Sequence, residues 1–238
     1  MKQKEFDEII ACISEPRLSS YKNESNIIIE NYIEIIQKSQ QIYPALHIIE
    51  VIFRNKVHGA VADILEEKNW LLDFKNGNPF LIETFSSLQK TTQTNEKKDL
   101  YDFFKDEVTK AYDSSLSIAK KNSRNIIEGD IIASLTFGFW TTLISKPFSN
   151  IFGDKGLFVK VFSEIDFSKI GNIGSKEYYK KEREIREIIT NIRVNRNRVF
   201  HHEKLKNYEK TEKLIWDTIL KMSKTSHDFF AGKFMIKN

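Results

Sequence analysis

Apolar residues recur along this chain at intervals of three and four, the spacing of helices that bury one face. From Asn23 to about Gln41, Ile27, Ile28 and Ile29 are followed by Tyr32, Ile33, Ile35 and Ile36, which predicts a strongly apolar helix. Pro44 predicts a break or kink after it, because proline pushes the preceding residue, Tyr43, away from the α region. A second helix is predicted from Pro44 to about Glu67, with Leu46, Ile49, Phe53, Val57, Ala60 and Ile64 on one stripe. Lys68–Pro79 reads as a loop anchored by Trp70 and Phe74, with the turn signal Asn76-Gly77-Asn78-Pro79. Residues Gln89–Lys98 are polar, lack periodicity and predict a connector.

Leu100, Phe104, Val108, Ala111 and Ser115 predict a helix from about Asp99 to Lys121. Asp130, as an N-cap or first-turn acid, opens another that turns Ile132, Leu135, Phe139 and Leu143 inward, with Pro147 after its end. The aromatics Phe137, Phe139 and Trp140 fit core packing there better than a base-stacking surface. Four of the nine glycines fall between Gly153 and Gly174, so that region is read as short elements and loops. A long charged helix follows from Ser175 to about His202, then a last one from about Lys210 to Lys224, with Leu214, Trp216, Ile219 and Leu220 read as core. The tail from Thr225 to Asn238 is expected to dock as a C-terminal segment. Neither a strand pattern nor a repeat emerges. The expected class is all-α, a single domain over residues 1–238 with its core bundle near 22–225 and an insertion near 89–125.

Composition narrows this picture a little. With 40% hydrophobic and 29% charged residues the chain is of ordinary globular type, and nine Gly and four Pro leave room for long helices. The single cysteine, Cys12, excludes an internal disulfide and a cysteine-based zinc site. Set in Ile9-Ile10-Ala11-Cys12-Ile13, it is expected to be a buried small hydrophobe. The first residues carry no signal-peptide pattern and no apolar run reaches membrane-spanning length, so a soluble, cytoplasmic protein is expected. A net charge of +4 neither requires nor excludes a nucleic-acid partner. The distribution of arginine is more informative: of eight, Arg183, Arg186, Arg193, Arg196 and Arg198 fall within sixteen residues. Arginine binds phosphate bidentately and stays charged.

On a helical wheel, Ile185, Ile189, Ile192 and Val199 cluster within about 80° and define the buried face of that long helix. Arg196 lies in the middle of it, so it needs either an acidic partner from another helix or an interface. Arg193 and Asn197 flank the stripe, and His201, four residues after Asn197, continues that edge. An arginine, an amide and an imidazole within reach of one point suit cleavage of an RNA phosphodiester. Histidine exchanges protons near neutral pH, arginine stabilises charge on the phosphorane, and asparagine orients. No Asp/Glu cluster with metal spacing accompanies them, so no cofactor is expected. The same residues also fit a helix end whose cations complement the dipole.

Arg196-Asn197-Arg198-Val199-Phe200-His201 resembles the Arg-polar-x3-His form of the R-x(4–6)-H motif of HEPN proteins. Extended to His202-Glu203, the string resembles the signature of Abi-like (abortive infection) proteins. Leu46-His47-Ile48-Ile49-Glu50-Val51-Ile52-Phe53-Arg54-Asn55 is similar to that family's N-terminal Leu-x3-Glu-x3-Arg-Asn helix. Leu135-Thr136-Phe137-Gly138-Phe139-Trp140 is similar to its central block, and the three blocks keep the family's order over residues 46–203. The resemblance implies a HEPN-type helical bundle, a homodimer with two motifs facing each other, and a metal-independent endoribonuclease acting as a toxin-type effector in phage defence. It implies Arg196 and His201 as the catalytic pair with Asn197 as the polar second position, and His202 as the alternative histidine. A regulatory RNA or an antitoxin is a further expected class of partner.

On the predicted Pro44–Glu67 helix, His47, Glu50, Arg54 and His58 align beside the apolar stripe. Glu50 and Arg54 are spaced for an i, i+4 pair on a solvated edge; alternatively Glu50 approaches Arg196 or the histidines and fixes them. Arg54 is read as support for the site, Arg193 and Arg198 as contacts to the RNA backbone. The rival reading on the same residues is a non-catalytic protein that grips a structured or non-coding RNA. Another, of a different class, is a nucleotide-sensing or structural dimerisation module.

Overall fold

The computed structural model describes residues 3–14, 18, 28–87, 100–201 and 203–234; the predicted connector at 89–98 and His202 lie outside them. Among the described residues every regular element is helical, so the all-α class holds. No described helix is long and apolar enough to cross a membrane.

Helix α1 (Gln3–Ile13) turns Phe6, Ile9, Ile10 and Ile13 toward a small cluster of Leu18, Ile28, Ile29 and Ile35. Cys12 is exposed, contrary to the expectation of burial. Its neighbours in sequence are apolar, but on the wheel it stands well off the face that Phe6, Ile9 and Ile13 share.

Helix α2 (Ile28–Leu65) replaces the two helices predicted around Pro44. At 1.5 Å per residue its 38 residues span about 57 Å. A proline inside a helix forfeits one backbone bond and costs about 3 kcal/mol. Ile42, Ala45, Leu46 and Ile48 are all buried on either side of Pro44, and that burial holds the helix through it.

The predicted loop at 68–79 contains a short helix, α3 (Trp70–Lys75), followed by α4 (Pro79–Ser86). Trp70 and Phe74 are buried, as anchors should be. Asn69 offers α3 no side-chain cap. The cap comes from far away: the Glu128 carboxylate accepts from Leu71 N at 3.1 Å and from Leu72 N at 2.9 Å. Gly77, at φ +90°, allows the turn into α4, whose start is capped by Asn78 Oδ1 accepting from Phe80 N at 3.0 Å. Helix α5 (Leu100–Lys121) sends Phe104, Val108 and Ala111 into the main core, where Phe104 stacks on Phe85 at 4.2 Å.

The single helix predicted after Asp130 is two: α6 (Glu128–Ser134) and α7 (Phe137–Leu143). Leu135 is extended and Thr136 starts α7 by accepting from Phe139 N at 3.2 Å, so the threonine ends one helix by capping the next. Leu135, Phe139 and Leu143 are buried as predicted, and Phe137 and Trp140 are core residues. Asp130 sits in the first turn of α6, accepting from Arg124 through both oxygens at 2.6 and 2.7 Å and from Ile127 N at 3.0 Å. The Arg124 guanidinium, and after it the Ile127 amide, hold this carboxyl down at about 2. A depressed carboxyl stabilises the fold above its unfolded pKa near 4 and loses that contribution as pH falls toward 2. The melting temperature of Asp130→Asn is therefore expected below that of the parent at pH 6, with the gap closing between pH 4 and pH 2.

Short elements follow, as the glycines predicted: α8 (Lys146–Phe152), α9 (Leu157–Val161) and a 3-10 turn at Phe167–Lys169. Helix α10 (Lys176–Phe200) starts at Ser175, whose hydroxyl accepts from Tyr178 N at 3.1 Å. Inside it the fully buried Glu182 bonds Arg186, which also donates to the Ile144 carbonyl at 3.0 Å and lies over the Phe158 ring. That network fixes the first half of α10 to the end of α7. Burial, and then the Glu182 carboxylate, push the Tyr178 phenol above its ordinary range. Helices α11 (Tyr208–Met222) and α12 (Lys224–Phe234) complete the chain. Trp216 and Ile219 are core, Leu220 is exposed, and α12 docks through Ala231 and Phe230. Helix α2 is the axis of the assembly, with α6, α7, α9, α10 and α11 packed against it.

Candidate functional site

The end of α10 carries the site because its apolar stripe fixes its rotation. Ile185, Ile189, Ile192 and Val199 are buried, so Arg196 is directed at α2. There it meets Glu50: Nε donates to Glu50 Oε2 at 3.2 Å and Nη2 lies 3.1 Å from the same oxygen. The side chains are 27% and 21% exposed, which places the pair between a screened surface bridge and a buried one. Breaking it is worth about 1–3 kcal/mol. The remaining nitrogen, Nη1, donates to Asn197 Oδ1 at 3.4 Å. The guanidinium carbon lies over the Phe200 ring, 4.1 Å from its centroid, a cation–π contact. Arg196 is thus oriented from three sides and still reaches solvent.

Glu50 thus turns to Arg196 rather than to Arg54, the first of the two arrangements its spacing allowed being replaced by the second. Arg54, one turn further along α2, is half-buried, and its Nε is buried without a hydrogen-bond partner. His47 is exposed. His58 belongs elsewhere: its Nε2 lies 2.9 Å from Glu128 Oε1, and its ring stacks on Trp70 at 5.6 Å. Of the four aligned residues of α2, Glu50 and His58 therefore serve different neighbours.

His201 is the C-cap of α10. Its backbone N–H donates to the Asn197 carbonyl at 2.9 Å, so the helical ladder carries Asn197 and His201 along one edge, and its imidazole is exposed. Asn197 is exposed, Arg193 is half-buried one turn before Arg196, and Arg198 is half-buried on the opposite side of α10. The alternative histidine, His202, lies outside the described residues.

Two features of this end of the molecule were not singled out from sequence. Tyr43 packs on Phe200 with centroids 5.3 Å apart, and both rings are exposed on their outer sides. With Ile36, Ser39, Gln40 and Val199 they line an apolar groove of about 460 Å³ beside Arg196. The second is a polar cleft of about 620 Å³ on the far side of α10, against α11. Phe200, four residues after Arg196, was the available signal for the first; the second depends on how two helices meet. Among the described residues no group of three or more His, Cys, Asp or Glu is placed to hold a metal ion.

No family model, no curated protein and no solved structure matches the chain.

Proposed function

We propose that the protein is a metal-independent endoribonuclease of the HEPN kind, a toxin-type effector of phage defence with a site made by two copies. The observation that carries the reading is Arg196 held by Glu50, Asn197 and Phe200, five residues before the exposed His201 that ends α10. An arginine oriented by a carboxylate but open to solvent suits a group that meets a phosphate. The likeness of the Arg196–Glu203 string and of its two companion blocks to Abi-like proteins supports the same reading.

In this mechanism Arg196 and Asn197 position the scissile phosphate. His201 of one protomer takes the proton of the ribose 2′-hydroxyl, whose oxygen attacks phosphorus. The partner copy's equivalent imidazole protonates the departing 5′-oxygen as the P–O5′ bond breaks. The products are a 2′,3′-cyclic phosphate and a 5′-hydroxyl. Arg196 meets the charge that develops on the equatorial oxygens. The Tyr43–Phe200 groove, apolar and adjoining Arg196, is the surface assigned to the second copy.

The purified chain is expected to cleave single-stranded RNA in excess EDTA and to leave cyclic-phosphate ends, and to sediment as a dimer. Full activity in Arg196→Ala, or cleavage that EDTA abolishes, would overturn the proposal. RNA binding without turnover on any substrate would favour the gripping protein instead.

A further inference from the structure

With Glu50 paired to Arg196, a group of cations remains on the other side of α10. The cleft between α10 and α11 is lined by Arg198, Lys206, Lys210 and Lys213 against the single carboxylate of Asp217. None of these four cations is in an ion pair with a carboxylate among the described residues, and the three lysines are exposed. The neighbouring hollow between α2 and the α10–α11 loop is different: there Lys38 is paired with Glu34 at 2.5 Å, and Glu209 lines it together with Lys204. Of the two, the α10–α11 cleft combines several cations with little opposing charge.

We propose that this cleft is the track for the phosphate backbone of the RNA, leading a single strand to His201. The inference rests on the reading of the protein as an RNA enzyme and names the surface that holds its substrate. Lys210 and Lys213 stand three residues apart on the exposed side of α11, an interval of about 5–6 Å that is on the order of the step between phosphates in an extended strand. Asn191 and Asn195 of α10 and Thr211 of α11 add amides and a hydroxyl, and the Asn195 amide already spans the gap, 2.8 Å from Asn191 Oδ1 and 3.4 Å from Thr211 Oγ1. The loop that joins the two helices begins at His201 and carries Lys206, so a strand leaving the cleft over the end of α10 arrives at the imidazole. Arg198 and Arg196 face opposite ways on α10, which divides the work: one side holds the strand, the other meets the scissile phosphate.

The lining contains no aromatic residue. Stacking platforms are what give single-strand binders their grip on bases, and their absence from the cleft makes this a reader of backbone charge alone. Affinity is then expected to be nearly independent of base and steeply dependent on salt.

The test is fluorescence anisotropy with a short fluorescein-labelled oligouridylate, titrated between low and moderate salt, with cleavage of the same strand followed separately. The Lys210→Glu/Lys213→Glu double variant is expected to bind about tenfold or more weakly at low salt. Its log K against log salt line should be shallower by about 1.4, two lost phosphate contacts at roughly 0.7 each for a single strand. Lys210→Gln/Lys213→Gln should lose less affinity in the same direction, Arg196→Ala, which gives up one phosphate contact, should make the slope shallower by about 0.7 at most, and oligoadenylate should bind like oligouridylate. Unchanged binding in the lysine variants, a loss as large in Arg196→Ala, or a duplex that outcompetes the single strand overturns the track. Wild-type protein that binds through the lysines yet never cleaves leaves the track standing and removes the nuclease reading. Cleavage that persists at parental strength in the lysine variants removes the track and leaves the nuclease.

Discussion

Replacing His201 with alanine is expected to lower RNA cleavage by about 10²–10⁴-fold, the usual worth of a positioned acid–base group, while the protein melts within about 2 °C of the parent. The two halves of that expectation have separate physical origins. The helix end is held by the backbone of residue 201, whose N–H reaches the Asn197 carbonyl, and alanine keeps that bond. The imidazole itself is exposed, so its removal opens no cavity. Arg196→Ala is the less discriminating variant, because it also removes the Glu50 pair and the contact with Phe200. Cleavage within twofold of the parent in His201→Ala, with cyclic-phosphate ends retained, would transfer the acid–base role to another group.

The largest effect on stability is expected at Glu128, in a part of the molecule remote from that chemistry. Its carboxylate is 7% exposed and satisfies three partners at once: Leu71 N, Leu72 N and His58 Nε2. Glu128→Ala leaves two amides at the start of α3 and a largely buried imidazole without their acceptor. Each unsatisfied group costs about 1–3 kcal/mol, so the variant is expected to lose about 3–5 kcal/mol. For a chain of this length that lowers the melting temperature on the order of 10 °C. Glu128→Gln keeps one accepting oxygen and should fall between. A Glu128→Ala protein that melts with the parent would show that α3 stands without its distant cap.

The same residue explains why α3 was missed in the sequence. Between Lys68 and Pro79 the local signals are those of a loop, with Asn69 making no side-chain cap bond and Asn76-Gly77-Asn78-Pro79 marking a turn. What makes six residues helical is an acceptor supplied by a residue 57 positions later, and no window of sequence contains both. Pro44 was misread for a related reason. Its local preference is for a boundary, and burial of its neighbours in a core built by later segments outweighs it. Helix α10 was legible because its signals are local: Ser175 caps it, four aliphatic residues set its face, and Arg196 interrupts that face. That the interruption needed either an acidic partner or an interface could be read from burial alone. That the carboxylate is Glu50 and not another acid depended on α2 and α10 meeting across 146 residues of chain. The basic cleft was not legible as a cleft, since Arg198 and the lysines of α11 look scattered until the two helices are set side by side.

Synthesis of the chain runs from one end to the other, and α2 leaves the ribosome long before the helices that cover it. Its buried residues from Ile42 to Leu65 belong to a helix covered by α6, α7, α9, α10 and α11, the first made more than sixty residues later and the last two more than a hundred. During that interval a long apolar rod has few native partners, the condition under which nascent chains associate or recruit chaperones. Glu50 waits through the same interval for Arg196. A site whose halves are separated in this way is assembled only when the fold is nearly complete, so chains interrupted during translation carry neither the pair nor the cleft.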